Sequence, residues 1–108
     1  MSSFTKPAKA SITTTDLTEL VAAQGAGSFI NVYVLAMSNE SETDTFVDVY
    51  DGATVVLSKL AVPAGLGNNT CLSKPLRLDQ NTALSVKSSA AVTTLNVNVA
   101  YDVEPRGF

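Results

Sequence analysis

Residues 29–61 constrain the fold of this chain more than any other stretch. Within 29–38 the side chains alternate between two faces, as they do along a strand, and both faces are largely apolar. The two sets are Ile30, Val32, Val34 and Ala36 on one face, and Phe29, Asn31, Tyr33, Leu35 and Met37 on the other. This pattern predicts a strand that needs cover on both sides, with the first set facing the core.

The rest of this stretch predicts a hairpin. Residues 39–44 are polar and form a loop, and a second strand with Phe46, Val47 and Val49 follows. Asp51-Gly52 is a strong signal for a two-residue hairpin turn, and apolar residues resume directly after it.

Other parts of the chain also indicate short strands. Residues 16–23 are read as an extended strand, with a single helical turn as the alternative. A strand within 70–78 contains Pro75, which places it at a sheet edge. From Leu95 to Val103 every second residue is apolar, so one face of this last strand belongs to the core and the other is wet or lightly covered.

Together these signals predict an all-β antiparallel β-sandwich of jelly-roll type. With 108 residues, the chain is expected to hold one such domain, spanning 11–108. Residues 1–10 contain serines, lysines and Pro7, and are expected to form a short extended N-terminal arm.

Composition narrows the classes of function. The net charge is -3 and the seven basic residues are scattered, which argues against a nucleic-acid groove. Charged residues make up only 16%, either because a Ser/Thr/Asn-rich β surface needs few ions or because other subunits cover part of the surface. No segment is apolar for long enough to span a membrane, and the N-terminus lacks the apolar core of a signal peptide, so a cytoplasmic location or release by lysis is expected.

The residue types needed for common catalytic sites are scarce. The sequence has no histidine, the usual general base and metal ligand, and a single cysteine. Cys71 is expected to be a small core residue and cannot form an intrachain disulfide. Residues 39–44 hold carboxylates that suit either Ca²⁺ or plain solvation, and they lack the spacing of a calcium loop. We therefore expect no enzyme activity, cofactor or metal centre.

Two groups of residues are candidates for contacts with other molecules. The face with Phe29, Tyr33, Leu35 and Met37 must be covered by another segment of the chain or by a neighbouring subunit, and a subunit interface is the prediction. The arm residues Phe4, Lys6 and Lys9 belong either to a loose terminus or to a docking element that meets an acidic patch on a partner.

The order of these segments resembles a known group of proteins. The segments are TELVAAQGAG (18–27), the strand ending in MSN (37–39), VDVYDG (47–52), PAG (63–65) and the closing alternating strand. In this order they are similar to the small β-sandwich structural proteins of tailed bacteriophages, typically head decoration (cement) proteins. The resemblance covers about residues 16–103 and includes no catalytic residues.

This resemblance implies a non-enzymatic virion protein, assembled in the host cytoplasm. It implies self-association, often as a trimer, and docking onto the major capsid protein or another virion protein. Neither nucleic acid nor membrane is an expected partner. Some decoration proteins attach through longer termini than the arm seen here. The alternative prediction is a carbohydrate-binding or receptor-binding module of a phage tail or fibre.

Overall fold

The computed structural model describes residues 5–105, which form eight strands and no helix. The strands are β1 (Lys6–Ile12), β2 (Thr18–Val21), β3 (Ser28–Asn39), β4 (Thr45–Asp51), β5 (Thr54–Val62), β6 (Gly67–Arg77), β7 (Leu84–Ser88) and β8 (Leu95–Pro105). Residues 16–23 thus contain a strand, as predicted, and not a helical turn.

The strands form two antiparallel sheets, ordered β1-β8-β3-β6 and β2-β7-β4-β5. Consecutive strands along the chain lie in different sheets, except β4 and β5, which pair as a hairpin. This is the strand order of a jelly roll. The predicted fold class is confirmed.

Apolar side chains of both sheets meet in one core. β8 contributes Leu95, Val97 and Val99, so the predicted alternation of this strand is confirmed. The other buried apolar residues are Ile12, Val21, Ile30, Val32, Leu35, Met37, Val47, Val49, Val62, Leu78, Leu84, Val86 and Val92.

A bulge in β3 reverses the faces that simple alternation predicts. Val32 pairs with Tyr101 of β8, and the next pair is Val34 with Ala100, so Tyr33 is an extra residue on β3. Because side chains alternate with a period of two, one extra residue exchanges the faces of everything beyond it. Leu35 and Met37 are therefore buried, at 1% and 2% exposure, while Val34 and Ala36 point outward. The predicted assignment holds for Ile30 and Val32 and is wrong from Val34 onward.

The β4–β5 hairpin is confirmed, with its loop one residue later than predicted. Asp51 pairs with Thr54, so the two loop residues are Gly52 and Ala53. Gly52 has a φ of 62°, the left-handed value that a type II′ turn requires at the first loop position.

The prediction of an N-terminal arm is wrong for residues 6–10. They belong to β1, which pairs with β8 from Lys6↔Tyr101 to Ile12↔Leu95. Ala8 packs against the core and Ile12 lies within it, because this strand also alternates inward and outward residues. Phe4, the third arm residue proposed for docking, lies outside the described residues.

Gly67, at the start of β6, has no room for a side chain. It pairs with Ser38, and a Cβ there would lie 2.7 Å from the main-chain oxygen of Met37. We expect Gly67→Ala to lower the free energy of unfolding by about 1–3 kcal/mol, because a backbone atom must move to relieve the clash. Urea unfolding measures this effect, with the exposed Asn69→Ala on the same strand as control. Equal stability of both variants would refute the close approach.

Candidate interaction surface

All four edge strands carry features that discourage pairing with another strand. In the first sheet, β1 has Lys6, Pro7 and Lys9, and proline lacks the N–H that a new ladder would need. At the opposite edge, four residues of β6 (72–75), including Pro75, lie across from the single bulged residue of β3.

The edges of the second sheet are protected in different ways. β2 is only four residues long. In β5, Lys59 has a φ of 55°, and its N–H donates to Asp48 Oδ1 at 2.8 Å, which interrupts the ladder. Such features oppose edge-to-edge association in natural sheets. A partner therefore has access to the faces and ends of the sandwich more readily than to its edges.

The outward surface of the first sheet, here called the β8 face, has mostly small side chains and is nearly uncharged in its middle. The pairing registers place on this face Pro7, Lys9, Ser11, Val34, Ala36, Ser38, Asn69, Cys71, Asn96, Asn98 and Ala100. A depression of about 280 Å³ is lined by Thr5, Lys6, Pro7, Val34, Ala36, Asn98, Val99 and Ala100. The bulge at Tyr33 creates its apolar wall, because it turns Val34 and Ala36 outward.

One end of the β8 face carries a compact polar cluster. Asn31 donates from Nδ2 to Asp102 Oδ1 at 3.0 Å and to Glu104 Oε1 at 3.1 Å. The Tyr33 hydroxyl donates to Asp102 Oδ2 at 2.7 Å, and Arg77 pairs with Glu104. These contacts explain how Asn31 and Asp102 are buried on an outward face, at 5% and 7% exposure.

The cluster also includes the aromatic ring of Phe29, and the pKa values of two of its members, Tyr33 and Glu104, are shifted. The Arg77 guanidinium lies 5.0 Å from the centre of the Phe29 ring. The hydrogen bond to Asp102 raises the pKa of Tyr33 above its ordinary value, because ionisation would place two negative charges together. Donation from Asn31, followed by Arg77, lowers the pKa of the Glu104 carboxyl.

The shift at Glu104 gives a pH-dependent contribution to stability. Because its folded pKa is lower than its unfolded pKa, the contribution is present above the unfolded value and is lost as the pH falls through the folded value. We expect wild type to melt at a slightly higher temperature than Glu104→Gln at pH 7, and the difference to vanish in acid. Arg77→Gln should reduce the same difference. A gap that stays constant from pH 7 to pH 3 would contradict this assignment.

The outward surface of the second sheet, here called the β4 face, differs in character. Phe46 is 49% exposed and pairs with Ala61, and Tyr50 pairs with Val55, which is 43% exposed. Between these pairs, Asp48 lies opposite Lys87 of β7. This face therefore presents aromatic rings beside charged groups.

The structure separates the residues predicted for a subunit interface. Leu35 and Met37 lie in the core, so the prediction that they cover a subunit contact is wrong, and the β3 bulge is the reason. Phe29 and Tyr33 are half-buried in the polar cluster of the β8 face. Lys6 and Lys9 are exposed on β1, beside the apolar depression.

Two further expectations concern Cys71 and the loop of residues 39–44, here called the acidic loop. Cys71 is exposed on the β8 face and is not a core residue, because it pairs with the outward-facing Val34. Within residues 5–105, no three Cys, Asp or Glu side chains lie close enough together to hold a metal ion. In the loop itself, Asp44 Oδ1 accepts from the Ala64 N–H at 2.8 Å and Glu40 accepts from Asn96.

Sequence reasoning missed the residues that line the apolar depression. Ala100 and Asn98 could be assigned to the outer face from the alternation of the last strand. Val34 and Ala36 could not, because no residue type near Tyr33 marks the bulge.

In comparisons with known proteins, no protein-family model and no curated protein matches this chain. No helix in the described part of the chain is long and apolar enough to cross a membrane.

Proposed function

We propose that this chain is a non-enzymatic structural protein of a phage virion, a decoration (cement) protein. It self-associates, with a trimer as the favoured state, and docks onto the capsid shell to stabilise it. The β8 face is the surface through which it assembles.

The observation that carries this proposal is the contrast between the protected edges and the open β8 face. Pro7, Val34, Ala36 and Ala100 form a shallow apolar floor without a charged group at its centre. Burying apolar surface of this kind favours association by about 25 cal/mol per Å² before ordering costs. Symmetric repetition adds such contacts around a ring. The phage origin and the docking partner rest on the resemblance of the strand and turn pattern.

Mass photometry with and without capsids of the encoding phage tests this proposal. Wild type is expected to form an oligomer and to bind capsids. Ala36→Glu places a charge on the apolar floor, and we expect it to remain folded, to yield monomers and to lose capsid binding through lost avidity. The matched control is Ser58→Glu, at an exposed position in the opposite sheet. Unchanged assembly of Ala36→Glu would refute a role for the β8 face.

Tyr33→Asp is a poorer probe of the same surface. Tyr33 donates to Asp102, so a new carboxylate there would repel a buried one and destabilise the fold itself. Ala36 has no such partner, and its substitution separates assembly from folding.

A second candidate function is binding of a glycan through the β4 face. The observation that favours it is the exposed ring of Phe46, with Tyr50 on the same strand and face, since aromatic rings beside polar groups suit sugar stacking. A glycan array distinguishes the two functions. Submicromolar binding that Phe46→Ala abolishes would place this candidate first.

A further inference from the structure

We infer that the partner of the β8 face is a second copy of this chain, which inserts the loop end of its sandwich. The acidic loop and Leu66 of one copy would meet the lysines and the apolar depression of the next. This inference rests on the proposed self-association and specifies how it occurs.

The lysine side of this contact is a groove along β1 and β8. A second depression of about 270 Å³, lined by Lys9, Ala10, Ser11, Asn96 and Asn98, continues the apolar one and shares Asn98 with it. Lys6 and Lys9 are exposed at its rim, and among residues 5–105 neither has an ion-pair partner. The groove is therefore apolar at one end and positively charged along β1, and at its polar end Asn96 donates to Glu40 of the same copy.

The opposite chemistry lies at one end of the sandwich. Ile12, Asn39, Gly67 and Leu95 meet at the same end of the first sheet, so the loops 13–17, 40–44, 63–66 and 89–94 cluster there. These loops contain no basic residue, and their acidic residues are Asp16, Glu40, Glu42 and Asp44. The end is therefore uniformly acidic.

The same end carries a protruding apolar side chain. Leu66 is 61% exposed, and its main-chain oxygen accepts from the Asn39 N–H at 2.8 Å. The bond between Ala64 and Asp44 holds the 63–66 loop against the acidic loop. A leucine beside carboxylates thus matches an apolar depression beside lysines, in both polarity and charge.

The acidic loop is already ordered within one copy. Asn39 Nδ2 donates to the main-chain oxygens of Thr43 at 2.7 Å and of Val62 at 2.9 Å. Ser41 Oγ donates to Asn39 Oδ1 at 2.7 Å. A loop fixed in this way loses little conformational entropy on binding, which favours its use as the inserted element.

The contact joins two different surfaces, so it is heterologous and closes into a ring where the rotation between copies allows. It also accounts for the low charge of the β8 floor, which would receive Leu66, and for the location of the lysines at the rim.

Charge exchange tests this inference in sedimentation velocity at low ionic strength. We expect Lys9→Glu and Glu42→Lys each to weaken self-association by about fivefold to tenfold, and the double variant to recover most of the loss. Leu66→Ser should weaken it by about tenfold or more, and added salt should weaken wild type. Lys74→Glu, at an exposed position of β6 outside the groove, is the control.

The outcomes distinguish failure of the loop-in-groove contact from failure of the proposed self-association. Wild type that remains monomeric overturns both. An oligomer that is insensitive to the three single substitutions, or that the double charge exchange fails to restore, overturns only the loop-in-groove contact. Circular dichroism of each variant confirms that the sandwich is intact.

Discussion

Leu35→Ala is expected to lower the free energy of unfolding by about 2–5 kcal/mol, whereas Val34→Ala should cost less than about 1 kcal/mol. Leu35 is 1% exposed in the core, and its neighbour Val34 points outward on the β8 face. Truncating the buried leucine leaves a cavity in the core, whereas truncating the outward valine leaves a space that water fills. Urea unfolding measures both values.

This pair of substitutions tests the β3 bulge directly. Uninterrupted alternation from Ile30 would bury Val34 and expose Leu35, so the order of the two costs would be reversed. An unchanged m value in both variants shows that the comparison concerns stability and not a change in the unfolding transition. A larger loss for Val34→Ala would contradict the bulge and the β8 face as described.

Asn39→Ala is expected to cost about 2–4 kcal/mol, the largest effect of any polar substitution proposed here. Asn39 is 1% exposed, and its side-chain amide donates to the main-chain oxygens of Thr43 and Val62 and accepts from the Ser41 N–H. Each buried group left without a partner costs about 1–3 kcal/mol, and alanine cannot replace any of these bonds. Thermal and urea unfolding measure the loss.

The same substitution has a consequence for assembly. The Asn39 side chain orders the acidic loop through its bonds to Thr43 and Ser41. We therefore expect the fraction of Asn39→Ala that remains folded to self-associate more weakly than wild type. Asn98→Ala, an exposed asparagine of β8, is the control for stability. Equal unfolding free energies for the two alanine variants would refute the role of the buried amide.

The fold could be predicted from the sequence because most strands alternate cleanly. From Leu95 to Val99, one face is apolar and the other polar, and this pattern assigns both the strand and its buried side. The hairpin at Gly52 is equally predictable from the sequence, since glycine adopts the positive φ of this turn more readily than other residues do.

The candidate site could not be predicted in the same way. Both faces of residues 29–38 are apolar, so the pattern gives no sign of an extra residue at Tyr33. The bulge depends on contacts with β8 and β6 that are distant in sequence. As a result, simple alternation assigns Leu35 and Met37 to a surface, and Val34 and Ala36 to the core.

The N-terminal segment shows a related limit. Lysines and a proline are typical of a loose arm, but the same residues suit an edge strand, where they discourage pairing with other sheets. Local composition does not distinguish these two uses. The free edge of β8 is what selects the strand, and only the tertiary structure reveals it.

Sedimentation velocity of the wild-type chain at tens of micromolar tests the proposed assembly most directly. We expect a discrete oligomer at a whole multiple of the 11.3 kDa chain mass, with a trimer favoured, and we expect Ala36→Glu to dissociate it. A single species of 11.3 kDa across the whole concentration range would contradict it.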